Sequence, residues 1–150
     1  MIGLREGPLD PASLLAAVAD PEHGGTALFV GTIRREAGER EVVELRYEAY
    51  EELALIELQA IAAEAEQAFN ARVAVVHRIG PVGVGEPSVV VAASAGHRPA
   101  AFAACRLVID ELKSRAPIWK QTVHVGGDAT WIDGRGAVPH PEPLRRDHAR

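Results

Sequence analysis

The fold is decided by one stretch of the chain, VAVVHRIGPVGVGEPSVVVAA, which covers residues 73–93. Residues 73–79 and 88–93 are short apolar runs rich in β-branched valine, a composition typical of buried strands. The residues between them, 80–87, contain three glycines and two prolines, which favour turns. The stretch therefore predicts two adjacent strands joined by a tight connection.

Two more strands are predicted before this stretch. Residues 27–33 form an apolar run that follows a glycine pair, and residues 43–47 alternate between apolar and charged side chains. The first pattern predicts a buried strand and the second a strand exposed to water on one side. Residues 35–41 between them are charged and contain glycine, so we expect a mobile loop.

Along the chain, helices are predicted before and after these strands. Asp10 followed by Pro11 is typical of an N-cap and a first helical position. Residues 51–69 carry apolar side chains at roughly helical spacing, beginning with Leu53 and Ile56, among many glutamates. This pattern predicts a long amphipathic helix with that apolar face towards the sheet.

The chain after the decisive stretch predicts one more helix and a final hairpin. The helix runs from about residue 99 to 115 and ends before Pro117, because the residue preceding a proline avoids helical geometry. Residues 118–125 and 129–132 then predict two strands. Strands paired by short turns, with helices inserted between pairs, indicate an α+β fold with a mainly antiparallel sheet and helices packed on one face.

Length and composition bound the domain organisation. The chain has 150 residues, of which 47% are hydrophobic, enough for one domain with its own core. We expect a single catalytic domain over residues 1–134. Residues 135–150 are rich in proline and arginine, and we expect this tail to be partly disordered or ordered by a partner.

Charge and cysteine content exclude several classes of function. The net charge of −5 argues against nucleic acid as a partner, which would require a basic face. No apolar run is long enough to span a membrane, and the first residues do not look like a signal peptide. Cys105 is the only cysteine, so no intramolecular disulfide can form. We expect a cytoplasmic protein that does not bind membranes.

The two lysines are the most informative residues for function. The chain contains fourteen arginines but only Lys113 and Lys120, which lie seven residues apart. An amine can lose its proton when burial or nearby positive charge lowers its pKa, whereas a guanidinium stays protonated. Helix capping or chance could also place them here, but their confinement favours a role as base, nucleophile or electrostatic catalyst.

Other basic residues fall at the ends of predicted elements. We expect them to converge with the lysines into a pocket for an anion, where arginine can grip a phosphate through two hydrogen bonds. Each of them alone could also be a solvated charge, and His97 could be a helix cap. The residues concerned are Arg34, Arg35, His97, Arg98 and Arg115.

The remaining polar residues predict no further chemistry. Cys105 lies within the apolar run of a predicted helix and is expected to be a buried thiol. His77 interrupts an apolar strand and is expected to be a core or interface histidine. His124, His140 and His148 lack the spacing of metal ligands. We therefore expect neither a metal site nor a cofactor.

Five motifs occur in order and span most of the chain: FVGTIR at 29–34, LRYEAY at 45–50, VHRIG at 76–80, SAGHR at 94–98 and LKSRAPIWK at 112–120. Together they make the chain resemble the large, catalytic subunit of molybdopterin synthase. The resemblance implies an α/β hammerhead-like fold and a sulfurtransferase. That family moves sulfur from a C-terminal thiocarboxylate on a small ubiquitin-like subunit to cyclic pyranopterin monophosphate, and so makes the dithiolene of molybdopterin.

The resemblance also implies roles for residues. The family's catalytic lysines fall on Lys113 and Lys120, and its substrate-binding groups on Arg34, His97 and Arg98. Its arginine that reaches in from the dimer partner corresponds to Arg135. The family forms a central homodimer with a small subunit at each end, a heterotetramer. After Lys120, Gln121 and Thr122 replace the basic and acidic pair that the family often carries.

Two alternative functions fit the same residues. A module without catalytic activity could bind the extended C-terminal tail of a partner and use the basic cluster for its carboxylate. A phosphoester enzyme could use His97 as its acid and base. Only the sulfurtransferase needs both an amine that can titrate and a thiocarboxylated partner.

Overall fold

The structure, a computed structural model, describes residues 1–37 and 40–133. Eight strands and three helices occur in these residues. The strands are β1 (Ile2–Glu6), β2 (Gly25–Thr32), β3 (Glu36–Ala37), β4 (Arg40–Ala49), β5 (Ala71–Gly83), β6 (Pro87–Ala95), β7 (Ile118–His124) and β8 (Ala129–Asp133); the helices are α1 (Pro11–Ala17), α2 (Glu51–Phe69) and α3 (Arg98–Arg115).

One sheet organises the described residues. Its strand order is β2-β6-β5-β4-β7-β8, with β1 added to β5 and the two-residue β3 to β4. All pairs are antiparallel except β1 with β5. The predicted α+β fold with a mainly antiparallel sheet is therefore confirmed. The stretch that decides the fold supplies β5 and β6, the centre of the sheet.

The predicted turn over residues 80–87 is largely wrong. β5 continues through Pro81 to Gly83 and pairs there with β4, so that Val82 faces Leu45 and Gly80 faces Tyr47. Gly80 has a φ of 83°, a conformation that glycine adopts easily. The glycine and proline mark the place where β5 stops pairing with β6 and joins β4, which local sequence cannot distinguish from a turn.

Strand β1 was not predicted from the sequence. Its five residues are intermediate or exposed, so they show no buried run. Ile2 lies opposite Val75 and Glu6 opposite Ile79 in the parallel ladder with β5. The strand exists because β5 offers a free edge, and that edge is known only once the sheet has formed. Similarly, the loop expected over residues 35–41 contains the short strand β3.

The helices cover both faces of the sheet, contrary to the expected single face. Helices α2 and α3 pack on the face formed by alternate β5 and β6 residues such as Val75 and Val91. Helix α1 packs on the other face through Leu14 and Val18, against residues such as Val90. Both faces of β5 and β6 are therefore buried, which explains their continuous apolar runs.

The bounds of α2 and α3 agree with prediction, but the buried face of α2 does not. Leu53 and Ile56 are 49% and 59% exposed, while Leu58 and Ile61 are fully buried. Alanines occur all around this helix, so several faces could pack closely, and the sheet selects one of them. Helix α3 ends at Arg115, just before Pro117.

Candidate functional site

A cavity of about 390 Å³ opens where β2 ends, beside β4, β7 and the last turn of α3. Among the described side chains, its lining includes three cations and no carboxylate, although the chain as a whole is acidic. Such a site suits an anionic ligand. The lining residues are Phe29, Gly31, Thr32, Ile33, Arg34, Val42, Leu45, Tyr47, Ser88, Val89, Lys113, Lys120 and Thr122.

Lys113 lies in the last turn of α3 and borders this cavity. The residue as a whole is exposed, although its amine is partly shielded from solvent. Burial lowers the pKa of this amine, and the positive charge of Lys120 lowers it further. Lys113 is therefore a lysine that can exchange a proton more readily than a solvated one.

Lys120 reaches the same cavity from β7, where it lies opposite Tyr47 on β4. Arg34 lies two residues after the end of β2 and completes the group of cations. No ion pair is formed by Lys113, Lys120 or Arg34 with any residue in the described part of the chain. Their charges are thus available to a ligand.

Arg115 does not belong to this cluster, although its position in the sequence suggested so. Its guanidinium contacts Glu57 and Glu64 of α2 and Glu111 of its own helix, at 3.1, 2.7 and 3.4 Å. It holds α3 against α2. Arg35 is exposed and is also absent from the cavity lining.

His97 and Arg98 lie at the opposite end of α3 from Lys113. A helix rises 1.5 Å per residue, so Arg98 and Lys113 are separated by roughly 22 Å along the axis. The start of α3 packs on the start of β2, where a Cβ on Gly25 would lie 3.1 Å from the Arg98 Cα. Within one chain, the expected convergence of these two residues with the lysines is therefore wrong.

Sequence reasoning missed two polar residues of the cavity lining, Tyr47 and Ser88, whereas the prediction of His77 as a core histidine is confirmed. His77 is 1% exposed, its Nδ1 lies 2.7 Å from the Arg78 carbonyl oxygen, and its ring meets Tyr47 edge-on at 4.8 Å. Burial, then the charge of Lys113, lowers the pKa of His77 to about 4. Tyr47 and Ser88 line the cavity itself. Tyr47 had been read only as an apolar position of an alternating strand.

The other candidate residues in the described part of the chain do not line the cavity. Cys105 is buried, as predicted, and burial raises the pKa of its thiol. Arg135, His140 and His148 lie outside the described residues, as does the tail 135–150. Among residues 1–37 and 40–133, no cluster of three potential metal ligands occurs, and no helix is long and apolar enough to cross a membrane.

The fold and the cavity together define an α+β domain with a lysine-lined site for an anion. The chain belongs to the MoaE protein family, whose model matches residues 4–115. The resemblance noted in the sequence is thereby confirmed.

Individual relatives agree with this assignment. The molybdopterin synthase catalytic subunit of Thermoplasma volcanium is 39% identical over 131 residues, which cover 87% of this chain and 96% of the relative. Catalytic subunit 1 from Mycobacterium tuberculosis is 41% identical over 133 residues, which cover 88% of this chain and 90% of the relative.

Solved structures share the fold. Molybdopterin synthase from Staphylococcus aureus has a TM-score of 0.82 at 27% identity, covering 86% of this chain and 94% of that one. The MoaE protein from Burkholderia ambifaria has a TM-score of 0.77 at 35% identity, covering 92% of both. A complex of subunits 1 and 2 of the molybdopterin-converting factor from Helicobacter pylori has a TM-score of 0.72 at 22% identity, covering 90% of this chain and 92% of that one, and shows the fold alone.

Proposed function

We propose that this chain is the catalytic subunit of molybdopterin synthase. It transfers sulfur from the C-terminal thiocarboxylate of a small ubiquitin-like subunit to cyclic pyranopterin monophosphate, forming the dithiolene. The observation that carries the proposal is the meeting of Lys113, Lys120 and Arg34 in one cavity, whose described lining residues include no carboxylate. Residues 1–134 form the catalytic domain, and the cytoplasm is the compartment where we expect it to act.

The cavity's charges suit the proposed substrates. A thiocarboxylate and a phosphate are both anions, and Arg34 offers a fixed positive charge with paired donors for one of them. Replacing oxygen by sulfur also requires protons to move to and from the reacting groups. The lowered pKa of Lys113 suits this amine to such transfers, and Lys120 adds charge that stabilises developing anions.

A second copy of the chain would bring His97 and Arg98 to this cavity. Strand β2 forms the edge of the sheet and pairs with β6 alone among the described strands. It exposes Leu28 and Phe29, which are 42% and 40% accessible. Antiparallel pairing of two β2 strands about a twofold axis would place the start of one beside the end of the other. His97 and Arg98 of one copy would then approach the lysines of its partner.

The small subunit would deliver its C-terminal tail into the open mouth of the cavity. An extended tail with a terminal anion fits a narrow site lined by cations and strand backbone. The solved Helicobacter pylori structure is a complex of two subunits of a molybdopterin-converting factor. We propose the same association here, giving a heterotetramer, with Arg135 also reaching the partner's site.

The decisive experiment is reconstitution. The purified chain is incubated with a thiocarboxylated small subunit and the pterin precursor, and dithiolene formation is followed. Product that requires both additions supports the sulfurtransferase. Tight binding of the small subunit without product would favour a binding module, and turnover of a phosphoester without the small subunit would favour a phosphoester enzyme.

A further inference from the structure

Arg34 reaches the cavity from the backbone just beyond β2. The strand ends at Thr32, and the next residue, Ile33, is held by two backbone hydrogen bonds. Its N–H donates to the carbonyl oxygen of Glu86 at 3.2 Å, and its carbonyl oxygen accepts from the N–H of Gly85 at 2.8 Å. Ile33 is 5% exposed and lines the cavity together with Arg34. The place of Arg34 therefore depends on the turn that contains residues 85 and 86.

The side chain of Glu86 stabilises that turn, which joins β5 to β6. Its Oε2 accepts a hydrogen bond from the Gly83 N–H at 2.9 Å, and the Glu86 N–H donates to the Gly83 carbonyl oxygen at 3.0 Å. Between them, Gly85 has a φ of 83°, a conformation that glycine adopts easily. The carboxylate therefore adds a second link between the two ends of the turn.

The same carboxylate oxygen also pairs with a buried cation. Arg78 on β5 is 9% exposed, and its Nη1 lies 3.2 Å from Glu86 Oε2. Within residues 1–37 and 40–133, Arg78 forms no other ion pair, and its Nε has no hydrogen-bond partner. A buried guanidinium that loses its counter-ion is strongly unfavourable. This ion pair therefore attaches the turn to the central strand β5.

We propose that Glu86 is a positioning residue for Arg34. Its carboxylate holds the turn through Gly83 and Arg78. The turn in this way sets the backbone of Ile33, from which Arg34 reaches the cavity. The effect on sulfur transfer rests on the proposed function. The link between Glu86 and Ile33 does not, because it can be measured without turnover.

The experiment compares two single variants, their double variant and a control. Glu86→Gln keeps the size of the side chain and the backbone groups that bind Ile33, but removes the charge that pairs with Arg78. Arg34→Ala removes the positioned group. Thermal unfolding verifies that the variants are folded, and Glu86→Asp, which keeps the charge at a shorter reach, replaces Glu86→Gln if that variant is not.

Asp20→Asn is the matched control. The Asp20 carboxylate likewise accepts a hydrogen bond from a backbone N–H two residues on, that of Glu22 at 2.9 Å, and pairs with an arginine, Arg72, at 3.3 Å. Arg72 lies at the start of β5, whereas Arg78 lies towards its end. The control therefore removes the same kind of carboxylate away from the turn.

The first measurement is amide hydrogen exchange, followed residue by residue by NMR. In Glu86→Gln the amides of Ile33 and Gly85 should exchange about tenfold faster or more, the effect of losing a hydrogen bond to a charged group. Amides at the centre of β6 should keep their rates, and Asp20→Asn should leave Ile33 and Gly85 unchanged. If the two amides keep their rates in Glu86→Gln, or speed up only as much as those of β6, the inference is overturned.

The second measurement is single-turnover sulfur transfer below saturating precursor. Removing a negative charge by itself favours an anionic substrate, so Asp20→Asn should react no more slowly than wild type. We expect Glu86→Gln to react about tenfold more slowly instead, because a displaced Arg34 binds the anion less well. In the Arg34→Ala background the same change should have little further effect. Equal losses in both backgrounds indicate a merely structural role and overturn the inference.

The two measurements separate this inference from the proposed function. Wild-type protein that makes no product overturns the proposed function. Hydrogen exchange at Ile33 and Gly85 then decides whether Glu86 holds the segment that carries Arg34.

Discussion

At the scale of the residue, the proposed chemistry of the site depends on two amines placed in the same cavity. Lys113 comes from the end of α3 and Lys120 from β7, and each increases the positive field on the other. Burial, and then the charge of Lys120, lowers the pKa of Lys113, which makes this residue suited to proton transfer. Arginine could supply the field but could not exchange the proton.

The first prediction concerns these lysines. Lys113→Ala and Lys120→Ala should each lower single-turnover sulfur transfer by about 100-fold or more, the usual effect of losing acid-base or electrostatic catalysis. Arg106→Ala is the matched control, because it removes a cation from the exposed side of α3, where Arg106 pairs with Asp110. Near-normal rates in both lysine variants would contradict the catalytic assignment.

A second prediction at this scale concerns His77 and stability. Its pKa falls from 6.5 to about 4 on folding, so below pH 6.5 the unfolded chain binds a proton that the folded one does not. Stability is then lost as the pH falls towards 4. Between pH 7 and 5 this group lowers the free energy of unfolding by about 2 kcal/mol. Over the same range His77→Gln should lose about 2 kcal/mol less stability than wild type. Urea unfolding at the two pH values measures this difference. An equal loss of stability in wild type and variant would contradict the prediction.

At the scale of the element, the cavity depends on how closely β2 approaches β6. Gly31 lies opposite Val89 in this ladder, and its carbonyl oxygen accepts the hydrogen bond from Ser88. A Cβ at position 31 would lie 2.7 Å from Val89 Cγ1 and 3.3 Å from Phe29 Cε1. Both neighbours line the cavity, so their displacement would change its shape.

We therefore predict that Gly31→Ala destabilises the protein by about 1–3 kcal/mol, the usual cost of overpacking, and also lowers sulfur transfer. Gly3→Ala in β1 is the matched control, because nothing lies within 4 Å of its added Cβ. Chemical unfolding and single-turnover rates test both parts. Equal stability of the two variants would show that β2 and β6 can separate at no cost.

At the scale of the whole molecule, the cavity of one chain gathers only some of the expected site residues. His97 and Arg98 lie roughly 22 Å from Lys113 along α3, while the exposed edge of β2 allows a second copy to approach. The proposed dimer places the two halves of the set together. Arg98 of one copy would then serve the lysines of the other.

This arrangement predicts complementation. Arg98→Ala and Lys113→Ala homodimers should both be weak, but mixed dimers carry one intact site, so an equal mixture should recover about a quarter of wild-type activity. Arg135→Ala should behave like Arg98→Ala. Sedimentation establishes the dimer, and tagged subunits establish exchange. A monomer at micromolar concentration, or no recovery despite exchange, would rule out the shared site.

Local patterns in the sequence determined the element types, the α+β class and the identity of the key amines. The valine runs of β5 and β6, the N-cap at Asp10 and the helix stop before Pro117 act over a few residues, so periodicity and backbone preference predict them. The rarity of lysine singled out Lys113 and Lys120. The family motifs, matched in order along the chain, indicated which reaction to expect.

Only the tertiary structure decided which of these residues meet. Strand β1 and the extension of β5 past Gly80 depend on pairing with distant strands, and the buried face of α2 depends on the sheet beneath it. For the same reason the sequence grouped Arg98 and Arg115 with the lysines and did not indicate that Tyr47 and Ser88 line the same cavity. Proximity in a fold arises from long-range pairing and packing, which leave no periodic signal in the local sequence.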